Sequence, residues 1–344
     1  MIKTAVIGYG LSAKTFHLPF IQQQSELQLV AISSRQAELK LDYPQISHYQ
    51  QAEELIAQSD AELVVITSPN DSHYPLAKLA LQAGKHVLVE KPFVLTEAEG
   101  MELFALAGQK QRQLFVYHNR RFDGDFLTLQ QLLDSDVLGP IRYFESHFDR
   151  FRPVPRLRWR EQQGAGTGIL FDLGPHLIDQ AIALFGAPEA LTARCRALRH
   201  GSNTVDYFHL LLHYADKEVV LHSSPFCALP TTRFILQGDL GSYHKTGLDP
   251  QEDALRAGQK PGGAGWGQEV DAMYGRLALQ SEQQSLTRSY PTLAGNYQLF
   301  YQQLVASIQQ GSASPVSADA ALLNIRLIEL ALQSQQQGKT LKLS

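Results

Sequence analysis

A lysine at the end of an apolar run is the first residue in this chain with chemical potential. Val87-Leu88-Val89-Glu90-Lys91-Pro92 is a hydrophobic strand that stops at a charged pair and is closed by proline. The residue before proline is steered toward extended backbone, so Lys91 belongs at a strand's C-terminal end. In an open parallel sheet, ligands bind in the crevice beyond those ends. Lys91 is therefore either a solvated surface residue or the group on which a reaction turns. A second pair, Asp172 and His176, lies in Ile169-Leu170-Phe171-Asp172-Leu173-Gly174-Pro175-His176. At i and i+4 on one helix they would share a face, although Pro175 favours the first helical turn and so sets Asp172 just outside it. Either arrangement lets the carboxylate orient the imidazole and raise its basicity, as a general base requires. A surface aspartate beside a capping histidine is the plainer alternative.

Other chemically suggestive residues carry weaker arguments. His209 and His213 mimic a metal pair by spacing but sit in a strand without a third ligand nearby in sequence, and they read as structural. The two cysteines, Cys195 and Cys227, make neither a thiolate zinc site nor a disulfide framework, and no metal is expected. Arg156-Leu157-Arg158-Trp159-Arg160 is basic but short, which suits a pocket or cofactor contact better than a nucleic-acid groove.

The elements that must position these groups begin as alternating strand and helix. Strands are expected at Ala5-Val6-Ile7, Leu27 to Ile32, Leu63 to Thr67, His86 to Glu90 and Leu114 to Tyr117. Helices fall between them, through Phe20 to Gln24, then Glu53 to Gln58, Tyr74 to Ala83 and Glu97 to Gln111. Continuous apolar strands taking turns with helices argue for a parallel sheet covered on both faces.

The first strand breaks into Gly8-Tyr9-Gly10-Leu11-Ser12-Ala13, a Gly-x-Gly-x-x-Ala fingerprint. Gly8 permits the tight turn, Gly10 lets backbone approach a pyrophosphate, and Ala13 keeps helix close to strand. Free N–H groups at the helix N-terminus then favour the phosphates. An ordinary strand-to-helix turn is the alternative. The second strand ends Ser33-Ser34-Arg35, without the carboxylate that usually holds a ribose 2′-hydroxyl. Two hydroxyls and a guanidinium suit a 2′-phosphate instead, so NADP(H) is expected over NAD unless Arg35 merely opens a solvated helix. The turn-rich loop Ser68-Pro69-Asn70-Asp71-Ser72-His73 lies, by position, along such a dinucleotide, though His73 serves equally as a helix cap.

From about residue 120 the alternation stops. A helix is expected over Phe126 to Leu133, an alternating strand over Ile141 to Arg152, and an amphipathic helix over Leu177 to Phe185. Candidate strands follow at 190–199, 204–214, 217–224, 231–238 and 241–245, then helices over Ala294 to Gln309 and Ser317 to Gln335. Hairpin spacing argues for a largely antiparallel sheet, open on one face unless something covers it. Asp249 to Glu269 is Gly/Pro-rich and reads as a long loop, more often functional than idle.

Composition bounds the rest. The chain has 344 residues, 44% hydrophobic and 19% charged, with a formal charge of −4, which suits a two-domain globular protein. No Lys/Arg block of the kind that tracks phosphate backbones is present, so no nucleic-acid partner is expected. No apolar run approaches a membrane span, and the N-terminus runs straight into a strand, leaving no room for a signal peptide. A cytoplasmic setting is the default.

Taken together, these residues resemble the glucose–fructose oxidoreductase and inositol dehydrogenase (Gfo/Idh/MocA) family. The glycine turn, Glu90-Lys91-Pro92 and Asp172-Leu173-Gly174-Pro175-His176 carry the resemblance. Four further stretches are similar to its NADP-dependent scyllo-inositol dehydrogenase branch: Tyr117-His118-Asn119-Arg120-Arg121-Phe122-Asp123, Trp159-Arg160-Glu161, Asp206-Tyr207-Phe208-His209 and 249–255. The resemblance spans essentially the whole chain. It implies an α/β fold, with a Rossmann parallel sheet in 1–120 followed by an α+β domain in 121–344. The second domain's large, mostly antiparallel open sheet would serve substrate binding and assembly, as a homodimer or higher homo-oligomer.

The resemblance also implies roles. Lys91 would hydrogen-bond the reacting hydroxyl and the nicotinamide ribose, His176 would take the hydroxyl proton, and Asp172 would orient it. A nearby cation favours the developing alkoxide, which agrees with general acid–base logic. Tyr117, His118, Arg120 and Trp159 join them as candidate substrate residues. Asn119, Trp159, Arg160 and Glu90 join the glycine turn (Gly8 to Ala13), the Ser33-Ser34-Arg35 end, Ser68, Asn70 and His73 as candidate cofactor contacts. Glu90 either fixes the strand end or holds Lys91 protonated. The expected activity is NADP(H)-dependent interconversion of a secondary alcohol and a ketone on a cyclic polyol or sugar. A non-catalytic nucleotide-binding sensor or scaffold and a tightly cofactor-bound sugar–sugar oxidoreductase are the alternatives.

Overall fold

Continuous apolar strands need cover on both faces, and the chain supplies it with helices between every pair. In the computed structural model, which describes residues 1–280 and 285–343, the first sheet contains β1 (Ile2–Ile7), β2 (Leu27–Ser33), β3 (Ser47–Tyr49), β4 (Leu63–Ile66), β5 (His86–Glu90) and β6 (Leu114–Tyr117). All six are parallel, in the order β3-β2-β1-β4-β5-β6. This is the doubly wound order, whose crevice opens where the strand sequence reverses, at β1 and β4. The short polar edge strand β3 was not foreseen, because Ser47-His48-Tyr49 has no apolar run. The helix after the glycine turn also departs from expectation. It starts as a π-turn over Ala13–His17, with Leu18 N–H reaching Ala13 O, before α-helix over Leu18–Gln23. Pro19 lacks an N–H and crowds the turn before it, which favours such a widened turn.

The second sheet has nine strands in the order β14-β13-β12-β11-β7-β10-β9-β8-β15. They are β7 (Ile141–His147), β8 (Ala190–Arg196), β9 (Tyr207–His213), β10 (Glu218–Ser223), β11 (Thr232–Gly238), β12 (Gly241–Thr246), β13 (Gly275–Gln280), β14 (Ser285–Tyr290) and β15 (Leu341–Lys342). Within this sheet only β7 and β10 pair in parallel among the described ladders. Burial alternates along β9, with Phe208, Leu210 and Leu212 inside and Tyr207, His209, Leu211 and His213 on the other face, the pattern of a one-sided sheet. The helix Gly174–Phe185 packs on the inner side. Arg233, nearly fully buried, ties helix to sheet by donating to Ser146 Oγ (2.7 Å), His147 O (3.1 Å) and Gln180 Oε1 (2.8 Å).

Three expectations need correction here. The strand over Ile141 to Arg152 stops at His147. Residues 148–152 continue as an extended arm along 222–227 through Phe148 N–His222 O, Arg150 N–Ser224 O and Arg152 N–Pro225 O, and the prolines at 153, 155 and 225 prevent a regular ladder. Within Asp249 to Glu269, the segment Gln251–Arg256 is helical, with Gln251 buried and its Oε1 accepting from Tyr297 N (2.8 Å) and Trp266 Nε1 (3.3 Å). Strands β13, β14 and β15 were not foreseen. β14 is exposed along most of its length and so lacks the period-two apolar signal.

By internal packing the chain divides into two units. The first comprises Met1–Asn119, Gln251–Trp266 and Asn296–Leu322, and the second comprises Arg120–Pro250, Gly267–Gly295 and the chain from Leu323 on. The first unit's N-terminal part ends at Asn119, and two later segments, Gln251–Trp266 and Asn296–Leu322, belong with the Rossmann sheet. No helix among the described residues is long and apolar enough to cross a membrane.

Candidate active site

The first unit gathers the expected nucleotide residues at one edge of its sheet. Gly8 has φ +97°, and a Cβ there would lie 2.7 Å from Thr67 Oγ1, so only glycine fits this turn. Its N–H donates to Ser33 O (3.0 Å), joining the ends of β1 and β2. A Cβ on Gly10, by contrast, would meet nothing within 4 Å. Internal packing therefore does not require glycine at position 10. Close approach of an outside group, such as a pyrophosphate, supplies a reason. Gly8, Ser33, Arg35, Gln51, Ser68 and Ser72 line a common crevice. The Arg35 guanidinium is exposed there and reaches Gln51 Oε1 (3.3 Å), while Ser34 Oγ accepts from Gln36 N (3.1 Å). Ser33 and Arg35 stand at this strand end, Glu53 lines the same crevice, and the residues fit a dinucleotide.

Glu90 is the hub of this edge. Its carboxylate accepts from Ser12 Oγ in the glycine turn, pairs with His17 Nε2 (3.0 Å), and accepts from Lys91 N (3.1 Å). Burial pushes the Glu90 carboxyl up, but the hydrogen bonds from His17 and Ser12 and the fields of His17 and Lys91 outweigh it and hold the group at about 2. His17 Nδ1 in turn lies 2.7 Å from the Tyr301 hydroxyl. His17 and Tyr301 were not identified from sequence. The only signal was a histidine four residues past Ala13, and nothing local announces a tyrosine from near residue 300. Lys91 directly follows β5, and a cis peptide joins it to Pro92.

Two candidate contacts turn out to be framework. His73 is buried, with Nδ1 2.7 Å from Pro92 O and Nε2 2.9 Å from Ser68 O, so it ties the loop after β4 to the end of β5. Burial lowers its pKa against those two carbonyls, which raise it. Tyr117 is 1% exposed. Its hydroxyl donates to Phe16 O (2.7 Å), and its ring meets His17 and Phe300 at centroid distances of 4.3 and 4.8 Å. Both rings are thus engaged by the fold's own groups. Asn70, His118 and Asn119 are likewise buried.

In the second unit, Asp172 ends the short helix Ile169–Asp172, and His176 sits in the first turn of Gly174–Phe185, its N–H donating to Leu173 O (3.1 Å). The two thus belong to successive helices broken at Leu173. Asp172 lies 3.8 Å from Arg160 Nε, and the Arg160 guanidinium stacks on Trp159 at 4.9 Å. Asp172 and Arg160 share a cavity with Arg150, Arg152, Arg158 and Arg199, against the carboxylates of Glu161 and Asp206. Arg199 bonds both Glu161 (2.8 Å) and Asp206 (3.0 Å), and Arg158 bonds Glu161 (2.6 Å). This arginine cluster was legible only as a short basic run. Arg120 is buried, 3.3 Å from Asp123, with its carbonyl accepting from Gln180 Nε2 (2.9 Å). Its backbone thereby helps to frame the helix Gly174–Phe185.

Comparison with known proteins agrees with this anatomy. Residues 2–118 match the oxidoreductase family's NAD-binding Rossmann fold, and residues 130–343 match its C-terminal alpha/beta domain. The chain is 44% identical over 344 residues to the uncharacterized oxidoreductase YdgJ of Escherichia coli, covering all of this chain and 99% of that one. It is 40% identical to the scyllo-inositol 2-dehydrogenase (NADP(+)) IolW of Bacillus subtilis, covering 99% of this chain and 96% of the relative. The crystal structure of the oxidoreductase yvaA from Bacillus subtilis superposes with a TM-score of 0.96 at 38% identity, covering 100% of this chain and 99% of that one. A parallel sheet with a glycine turn at its switch point, and a second mixed sheet matched along its length, place the chain in the Gfo/Idh/MocA oxidoreductase family.

Proposed function

We propose that the protein is an NADP(H)-dependent oxidoreductase that interconverts a secondary alcohol and a ketone on a cyclic polyol or sugar of the scyllo-inositol type. The observation that carries this reading is the strand end Glu90-Lys91, where a mostly buried carboxylate bonded to the glycine turn adjoins a lysine. Gly8, Gly10, Ser12, Ser33, Ser34 and Arg35 would hold the dinucleotide, whose nicotinamide supplies the hydride acceptor or donor when bound. Lys91 would donate from Nζ to the reacting oxygen and favour its developing negative charge. His176 would take the hydroxyl proton on a ring nitrogen, and Asp172 would orient that ring. The activity named for the relative IolW supports the substrate class and the cofactor. Assembly through the open sheet face and a cytoplasmic setting belong to the same reading.

The test is steady-state turnover of scyllo-inositol, myo-inositol and an aldose panel with each nicotinamide cofactor. Preference for NAD would refute the cofactor assignment. Lys91→Ala is expected to bind NADPH while losing turnover, and equal turnover in both proteins would remove Lys91 from the chemistry. One observation favours a second substrate class. The cavity around Asp172 holds five arginines against three carboxylates, an excess of positive charge that suits a polyol bearing a carboxylate or phosphate. Sugar acids and sugar phosphates therefore belong in the same panel.

A further inference from the structure

The outer face of the second sheet carries a cluster that the proposed reaction does not use. His147 ends β7, and Asp149 follows two residues later on the extended arm. His222, on β10, is the direct cross-strand neighbour of His147. His147 Nδ1 lies 3.2 Å from Asp149 Oδ2, and His222 Nδ1 lies 2.9 Å from Asp149 Oδ1. Donor atoms of the three residues all fall within 4.8 Å of one another. His222 Nδ1 is a buried atom with no hydrogen bond of regular geometry, although Asp149 Oδ1 lies 2.9 Å away. An imidazole nitrogen and a carboxylate held this close can both donate to a single ion.

The surroundings are those of a metal site. Glu145 Oε2 lies 2.6 Å from His147 Nε2, where it would receive that N–H when Nδ1 binds an ion beside Asp149. This carboxylate–imidazole arrangement fixes the tautomer and orientation of metal-binding histidines. Asp149 Oδ1 also accepts from Ser224 N (2.7 Å), which holds the central carboxylate in place. Zinc binds imidazole nitrogen and carboxylate oxygen at about 2.0 to 2.2 Å, which sets neighbouring ligand atoms roughly 3.3 Å apart by tetrahedral geometry. The two distances to Asp149 are already near that value. Two carboxylates, Asp149 and Glu145, balance a dication, and two nitrogens with one oxygen suit zinc over magnesium or calcium, which prefer oxygen alone.

We infer that His147, Asp149 and His222 form a binding site for a divalent transition-metal ion of the zinc type, with Glu145 as the positioning carboxylate. The ion would pin the end of β7 to β10, at the root of the arm that leads to Arg150 and Arg152.

The experiment is dialysis of chelator-treated full-length protein against zinc, with metal counted per chain, and against cobalt, with the ligand-field spectrum recorded. One ion per chain, lost in the double variant His147→Ala/His222→Ala, is the expected result. Glu145→Gln should weaken binding by about tenfold or more. The double variant also controls for stray binding by the other histidines of the chain. Equal zinc retention by wild type and double variant, or none in wild type, overturns the assignment. If the double variant does not fold by circular dichroism, Glu145→Gln decides: weakened zinc binding supports the site, and unchanged affinity overturns it. Metal content is read independently of turnover, so the result stands whatever the substrate proves to be.

Discussion

Replacing Glu90 with glutamine tests the hub of the nucleotide edge. Glu90→Gln keeps the shape of the side chain and imitates the protonated acid, so the variant differs from wild type only where the wild-type carboxyl is ionised. The folded protein holds that carboxyl at about 2, against an ordinary value of 4.5. A carboxyl whose pKa is depressed by folding contributes stability above its unfolded value and loses it as pH falls through the folded value. At 1.36 kcal/mol for each pH unit of difference, the ionised form adds about 3 kcal/mol. The side chain is only 13% exposed, so solvent screening does not erase this. Urea unfolding near neutral pH should therefore show Glu90→Gln less stable by about 3 kcal/mol. The gap should hold down to a pH near the ordinary carboxyl value and close below it as wild-type Glu90 takes up its own proton. A variant as stable as wild type at neutral pH, or a gap that stays undiminished down to about pH 2, would refute the reasoning. The same variant separates the two roles considered for Glu90. If it only fixes the strand end, NADPH binding weakens with stability. If it also holds Lys91 protonated, the alkaline limb of the pH–rate profile shifts to lower pH.

The other predictions are briefer. Gly8→Ala should cost about 1 to 3 kcal/mol, because an L-residue is strained at φ +97° and its Cβ would press on Thr67; unchanged urea midpoints and NADPH affinity would contradict it. Asp179→Asn removes the partner that accepts from Arg121 Nε (2.8 Å) and an Arg121 terminal nitrogen (2.7 Å) in a nearly buried pair, and should destabilise by about 3 to 5 kcal/mol in thermal or urea unfolding. Arg35→Ala should weaken NADPH binding by roughly tenfold to hundredfold, the worth of a charge-assisted hydrogen bond, and leave NADH binding unchanged in fluorescence titrations. A fragment of residues 1–120 lacks Tyr297, Phe300 and Tyr301, all fully buried. At about 1.5 to 3 kcal/mol for each large side chain, that loss rivals the stability of a small domain. The fragment should lose near-ultraviolet circular dichroism, and a cooperative transition with NADPH binding would count against this.

Much of this anatomy is legible locally, and the reason is the range over which each signal acts. The glycine turn, the apolar strands and Lys91 before proline declare themselves within a few residues, because turn geometry and hydrophobic period are local properties. The polar edge strand β3 and the exposed β14 carry no such period, and their pairing is decided by neighbours far along the chain. His73 and Tyr117 show the limit from the other side. Both occupy the expected loops, yet the direction of each ring is set by what it bonds, Pro92 O and Ser68 O for one and Phe16 O for the other. Residue type at a suggestive position does not distinguish a ligand contact from the strut behind it.

The nucleotide unit also shows why a boundary drawn along the sequence is incomplete. Its strands end near residue 117, and a division after residue 120 follows naturally from the loss of alternation. Yet the helix that follows the glycine turn presents Phe16, His17 and Phe20 to a surface that the first 120 residues leave uncovered. Phe20 stacks on Tyr301 at 5.9 Å, Phe16 meets Tyr297 at 6.4 Å, and His17 bonds the Tyr301 hydroxyl. His17 is the same residue that holds the Glu90 carboxylate, so the charge at the strand end depends on a tyrosine that arrives more than two hundred residues later. A hydroxyl against Nδ1 helps hold the imidazole so that Nε2 faces Glu90, and Glu90 in turn accepts from Ser12 in the turn and from the backbone of Lys91. The cofactor edge is therefore finished only when the distant segment has docked. Substitutions at Tyr301 should be felt at the glycine turn through this chain of bonds, before any loss of the sheet itself.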